Sequence, residues 1–363
     1  MEHIVPNDQP RGRIREPELQ SDLRLNLGKF HRSSISPTTI RFNQKLQELE
    51  EGSEKWHDIG ATEYRRRRKE GRTPLPGATL LPSARSDTIL SRDSGRTIPI
   101  RVLMPQRGDI EVHGIFLHLH GGGWVLNDEE SSDVYLQNIS DTCGLICISL
   151  GYRLAPEHPF PAAPNDCLDG AQWLVDNGPR IFGHALVFIG GESAGANLAL
   201  QTALGLLRSP VERYARFNLQ GLLLHYGAFS LHWQPGTRHF RRTPTLVLDE
   251  EAMTRFRSAY LPGEEPAAHT SPDVSPFYAE LSGLHLPPLL ITCGTEDCLL
   301  EDNVFMATRW LMAGGQAVLR IFPGSPHGFI LFPSDVHHNA HLALKDVVRF
   351  VSSKVSPIYS QLL

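Results

Sequence analysis

Gly191-Glu192-Ser193-Ala194-Gly195 sets a serine between two glycines. The apolar run Ala185–Ile189 precedes it, and good helix formers fill 194–204. A Gly-x-Ser-x-Gly between a strand and a helix is the pattern of a nucleophile on a tight turn. Side chains at 191 or 195 would strike their neighbours, and the serine must take a strained conformation that lifts its hydroxyl clear. The helix start brings N–H groups and a positive dipole end to the same place.

A serine hydroxyl needs a general base, usually a histidine held by a carboxylate. Asp297 stands just beyond the apolar run 288–293, and His327 sits in Gly324-Ser325-Pro326-His327-Gly328 beyond the run 317–322. Glu296 and Asp302 are local rivals for the acid, and the place of Asp297 in its loop favours it. His120-Gly121-Gly122-Gly123-Trp124 follows a further strand-like run. Three successive glycines let a backbone approach a substrate with N–H groups exposed. The expected oxyanion hole is therefore Gly122, Gly123 and Ala194. His120 reads as a brace for that loop. His118 and His120 alternate as metal ligands can, but no further ligand pattern joins them.

Together these motifs resemble the hormone-sensitive-lipase branch of the α/β-hydrolase superfamily, of carboxylesterase type. Gly151-Tyr152-Arg153-Leu154-Ala155-Pro156-Glu157-His158-Pro159-Phe160-Pro161-Ala162-Ala163 agrees with it, as do Ser275-Pro276 and Gly294-x-x-Asp297. The resemblance covers residues 75–350 or so. It implies an α/β-hydrolase fold with a helical cap, built from the N-terminal helices and an insertion near 228–275. It also implies that the arginine, glutamate and prolines of 151–163 fix the loop beneath the active site. Two departures stand out: Cys298 replaces the usual proline after the acid, and the N-terminal arm is long.

The reading is a serine hydrolase that cleaves small to medium acyl or aryl carboxylic esters through an acyl-enzyme. Ser193 is the nucleophile, His327 the base and Asp297 its orienting acid, with neither cofactor nor metal required. Trp124, Phe229, Trp233, Phe240 and Phe329 are the expected apolar pocket. The same residues would serve an acyltransferase, a lactonase or an eliminating enzyme. A ligand-binding receptor is disfavoured because Ser193, Asp297 and His327 are all present.

Several elements must position these groups. Apolar runs at 98–104, 115–120, 145–150, 185–190, 220–226, 288–293 and 317–322 read as strands. They alternate with helical stretches at 130–142, 162–177, 194–208, 301–314 and 337–354. Such alternation predicts an α/β class, with a mostly parallel central sheet flanked by helices. Residues 228–285 break the rhythm and read as an insertion over the sheet's C-terminal edge. The expected division is 1–75 as N-terminal arm and cap helices, 76–227 with 286–363 as catalytic domain, and 228–285 as cap insertion.

Within the first segment, 1–35 reads as a loose arm pinned by Leu23, Leu25, Leu27 and Phe30. A helix starts at Ser36-Pro37 with Phe42, Leu46 and Leu49 on one face. A second begins at Ser53, carries Trp56, Ile59 and Tyr64, and ends in Arg65-Arg66-Arg67-Arg68-Lys69. That basic run reads as a solvated helix end rather than an anion site.

The net charge of −5 gives no electrostatic case for nucleic acid, and no apolar run has membrane-spanning length. The start has neither a basic nor an apolar signal region, and the five cysteines lack zinc-type spacing. They fit reduced thiols in a cytoplasmic protein, so Asn138-Ile139-Ser140 is a chance sequon. The expected partner is a small-molecule ester, for a monomer or homodimer.

Overall fold

Unbroken apolar runs need cover on both faces, and here they form the middle of one sheet. The computed structural model describes residues 24–75, 77–240, 246–263 and 265–355. Most of the expected arm, with Leu23, lies outside the described residues. The strands are β1 (Arg85–Leu90), β2 (Thr97–Leu103), β3 (Gly114–Leu119), β4 (Leu145–Leu150), β5 (Leu186–Glu192), β6 (Gly221–His225), β7 (Leu289–Glu296) and β8 (Ala317–Pro326). They form one eight-stranded sheet in the order β1-β2-β4-β3-β5-β6-β7-β8. β2 is antiparallel to both β1 and β4, and every pairing from β4 to β8 is parallel.

Each expected strand is present, and β1 is an addition. Its sequence, Arg-Ser-Asp-Thr-Ile-Leu, buries Ile89 alone. An edge strand of this kind carries no apolar run to read.

The helices are α1 (Pro37–Glu50), α2 (Trp56–Ile59), α3 (Ala61–Lys69), α4 (Asp133–Cys143), α5 (Ala162–Phe182), α6 (Ala194–Leu207), α7 (Glu212–Ala215), α8 (Pro235–Arg238), α9 (Glu250–Tyr260), α10 (Leu300–Met312) and α11 (His338–Val355). α5, α6 and α10 cover one face of the sheet, and α4 and α11 the other. Alternation along β6 feeds both layers: Leu222 and Leu224 enter one core, Leu223 the other. The five cysteines are buried and unpaired. Among the described residues no helix is long and apolar enough to cross a membrane.

The N-terminal segment differs from expectation in two places. Gly60, at φ +88°, splits the second helix into α2 and α3. α1 packs on the edge strand β8 and on α11, where Asn43 Nδ2 donates to the Gly324 carbonyl at 2.8 Å. Leu46 is buried there, whereas Leu49 faces solvent. Just upstream, Lys29 Nζ donates to the Ile321 carbonyl at 2.7 Å.

Two buried ionisable groups set testable costs. Arg101 of β2 grips Asp133, in the first turn of α4, through Nη2 at 2.7 Å and Nε at 3.2 Å. Arg101→Ala strands that carboxylate in the core. The expected loss is about 3–5 kcal/mol, read from the denaturant midpoint and slope. Asp302, in the first turn of α10, is fully buried under Ser230. Burial, aided by the charge of Asp297 and opposed by the Ser230 and Phe229 N–H groups, pushes its carboxyl up to about 8. The folded chain therefore keeps a proton that the unfolded chain sheds near pH 4. Stability should fall by about 1.4 kcal/mol per pH unit from this group as pH rises from about 4 to about 8. Asp302→Asn should flatten the fall in urea titrations, and an unchanged slope would refute the assignment.

Candidate active site

β5 ends at Glu192 and α6 begins at Ala194, so one residue makes the whole turn. That residue, Ser193, has φ 56° and ψ −119°, a region that costs a non-glycine residue about 1–3 kcal/mol. A Cβ on Gly191 or on Gly195 would run into the Leu119 carbonyl of neighbouring β3. Glycine at both positions is what allows the turn to sit this low against the sheet.

The parallel pairing of β5, β6, β7 and β8 sends their C-terminal ends to one rim. Asp297 follows β7 and His327 follows β8. His327 Nε2 lies 2.9 Å from Ser193 Oγ, and Nδ1 lies 2.8 Å from Asp297 Oδ2. The other oxygen of Asp297 accepts from the Leu299 N–H at 2.9 Å, which fixes the carboxylate plane. Neither rival, Glu296 nor Asp302, is the carboxylate on His327.

Residues 120–126 follow β3. Their carbonyls are held from behind. Tyr152 Oη donates to the His120 carbonyl at 2.7 Å, and Val125 and Leu126 N–H donate to that of Gly122. Arg65 Nε donates to the Val125 carbonyl at 2.7 Å. The N–H groups of Gly122, Gly123 and Ala194 donate no hydrogen bond among the described residues. His120 stacks on Tyr152 at 4.2 Å, and burial lowers its imidazole to about 4, so it stays neutral. His118 faces Glu192.

Two features of the site carried no sequence signal, and a third does something other than the resemblance implied. The first is a buried polar layer under the turn. His118 Nε2 lies 2.9 and 3.0 Å from the two Glu192 oxygens, and its Nδ1 lies 3.0 Å from Ser149 Oγ. Burial alone would raise Glu192, but the neighbouring histidines outweigh it and hold the carboxyl below its usual range. His225 bridges Tyr135 Oη and Thr292 Oγ1 at 2.9 and 2.8 Å.

The second is Tyr226, at φ 39°, whose ring meets that of His327 edge-on at 4.8 Å. The third is Glu157, which the resemblance placed beneath the site. It binds Arg65 of α3 at 2.9 Å and Thr62 at 2.8 Å, and so ties α3 to the loop. Arg153 does brace from below, through two bonds to Asp166 of α5.

A cavity of about 1140 Å³ opens over Ser193, Ala194, His327 and Gly121–Gly123. Trp124 lines it, stacked on Tyr260 at 4.6 Å. The other four expected pocket aromatics do not. Phe229 and Phe329 are fully buried in the two cores, and Phe329 packs on Tyr226 and Phe322. Trp233 lies under the Arg257 guanidinium, and Phe240 packs against the core. The apolar lining comes instead from Trp56 of α2, stacked on Phe256 of α9 at 5.1 Å, and from Leu248, Met253 and Leu331.

Known proteins resemble this chain in sequence and in fold. An ethyl acetate hydrolase of Pseudomonas putida is 29% identical over 76% of this chain and 84% of its own. The structure of a hyperthermophilic esterase from the archaeon Pyrobaculum calidifontis superposes with a TM-score of 0.74 at 26% identity, covering 88% of this chain and 98% of that one. An esterase of the bacterial hormone-sensitive lipase family gives a TM-score of 0.71 at 25% identity, over 89% and 99%. A family model described as alpha/beta hydrolase fold matches residues 116–331. That span takes in most of β3, the glycine loop, the Ser193 turn and both partner loops, and the chain belongs to the alpha/beta hydrolase fold family.

Proposed function

We propose that the chain is a serine carboxylic-ester hydrolase working through an acyl-enzyme. The single observation that carries this reading is the unbroken contact from Ser193 Oγ to His327 to Asp297, at 2.9 and 2.8 Å. His327 Nε2 takes the Ser193 proton as Oγ attacks the ester carbonyl. Asp297 keeps Nδ1 protonated and stabilises the imidazolium. The N–H groups of Gly122, Gly123 and Ala194 receive the oxyanion, each donor being worth about 3 kcal/mol in the transition state. His327 then protonates the leaving alcohol. A water, deprotonated by the same imidazole, releases the acid and restores Ser193. Every proton in the cycle moves through His327.

Supporting the ester class, relatives of this chain bear the names ethyl acetate hydrolase and carboxylesterase. α2, α3 and the 228–285 insertion act as the cap over a catalytic domain of 76–227 and 286–363. A cap that narrows access favours small to medium esters over emulsified lipid. The five unpaired thiols fit a cytoplasmic location.

Ser193→Ala should lower hydrolysis of a short p-nitrophenyl ester by roughly 10⁴-fold or more, with thermal stability retained. A fluorophosphonate should label Ser193 in the parent protein, and full activity in the variant would discredit the assignment. Supplying a competing alcohol separates hydrolysis from acyl transfer. Hydrolysis yields free acid as the main product, whereas a second ester in excess of acid would make the chain a transferase.

A further inference from the structure

The basic run on α3 is not uniform. Arg65 pairs with Glu157 at 2.9 Å, and Arg66 with Glu63 and Glu70 at 2.8 and 2.7 Å. Arg67 pairs with Glu63 at 2.7 Å and Lys69 with Asp128 at 2.6 Å. The Arg68 side chain has no hydrogen bond, ion pair or ring contact among the described residues, although its backbone carbonyl accepts from the Gly71 N–H. It is only partly exposed, and it lines the cavity that holds Ser193. Burial pulls its guanidinium below the usual arginine value, with Tyr64, Glu50 and Asp128 opposing from longer range.

The carboxylates lining the same cavity are already engaged. Glu50 pairs with Lys55, Asp128 with Lys69, Asp133 with Arg101, Glu192 with His118 and Glu251 with Arg255. Glu130 leans on Arg101 at 3.9 Å, and Asp249 caps α9. No acid on the wall is left for Arg68. Its position is fixed as well. Arg65, three residues earlier on the same helix face, is clamped to the Val125 carbonyl of the glycine loop and to Glu157. Arg68 therefore stands about 4.5 Å further along the helix axis. The wall of the same cavity includes Trp56, Leu75, Leu248 and Phe256.

We propose that Arg68 is the anion receptor of the substrate cavity, and that the ester taken at Ser193 carries a carboxylate beyond an apolar stretch. A guanidinium half out of water with no partner gains a two-pronged, charge-assisted pair when such a carboxylate arrives. The apolar stretch covers the aromatic and aliphatic wall. A neutral ester gains only the second of these. The proposal rests on the esterase reading and names its substrate class: hemiesters of dicarboxylic acids, or esters with an equivalent distal carboxylate.

The test compares 4-nitrophenyl hemiesters of adipic, suberic and sebacic acid with the same compounds methylated at the free acid. For the parent protein, kcat/KM should favour the acid over its methyl ester by tenfold or more at the best length, mostly through KM. Arg68→Met should collapse that acid-to-neutral ratio at least tenfold, and Arg68→Lys should keep part of it. A second measurement does not need turnover. Calorimetry with Ser193→Ala protein should give tighter binding of monomethyl suberate than of dimethyl suberate, and adding Arg68→Met should erase the difference. If acid and neutral esters fare alike at every length, or if Arg68→Met leaves the ratio unchanged, the proposal is overturned. If no ester is cleaved and fluorophosphonate leaves Ser193 unlabelled, it is the esterase reading that fails. Calorimetry then still decides whether Arg68 binds a carboxylate.

Discussion

The strained turn at Ser193 is the constraint on which the rest of this structure depends. A non-glycine residue at positive φ persists only where its surroundings over-determine it. Here the surroundings are the Leu119 carbonyl pressed between Gly191 and Gly195, and the Ser193 N–H bonded to the His225 carbonyl at 2.9 Å. Both contacts come from strands beside β5. The sheet therefore sets the angle of the serine, and the order β3-β5-β6 is part of the site as much as the side chains are.

The polar layer beneath that turn follows from the same geometry. Glu192 ends a strand buried on both faces, so its carboxylate must be satisfied inside the protein. His118 on β3 supplies the partner, and Ser149 on β4, in register with His118, holds the other ring nitrogen. On the far side, His225 joins Tyr135 of α4 to Thr292 of β7. These bonds draw on five neighbouring strands and one covering helix just under the reacting atoms. A layer that is fully paired rigidifies, whereas a half-paired one would weaken the core.

Above the sheet the logic changes from rigidity to reach. α3 is held by Arg65 and Glu157 against the glycine loop, so a helix from the N-terminal segment becomes part of the cavity wall. Trp56 and Phe256 close the roof from two distant parts of the chain. Paired charges on α3 orient the helix. Arg68, whose side chain has no partner among the described residues, lines the cavity.

Local signals carried much of this protein. The apolar runs, the helix starts, the glycines at 191 and 195 and the order Ser193, Asp297, His327 are all short-range patterns, and each maps onto an element within a few residues. What sequence could not reach was any choice made by neighbours distant in the chain. β1 exists because β2 offers it an edge, not because its own residues are apolar. Phe229, Trp233, Phe240 and Phe329 are as aromatic as Trp56, and only packing decided which of them turn into the cores and which line the cavity. Arg68 is one of five consecutive cations, and only the positions of carboxylates elsewhere in the fold left its side chain without a partner among the described residues. Sequence determined the reactive groups and the elements that carry them, because strain, capping and periodicity act over a few residues. The tertiary structure decided which side chains meet, because burial and charge pairing are settled between segments that the chain order does not bring together.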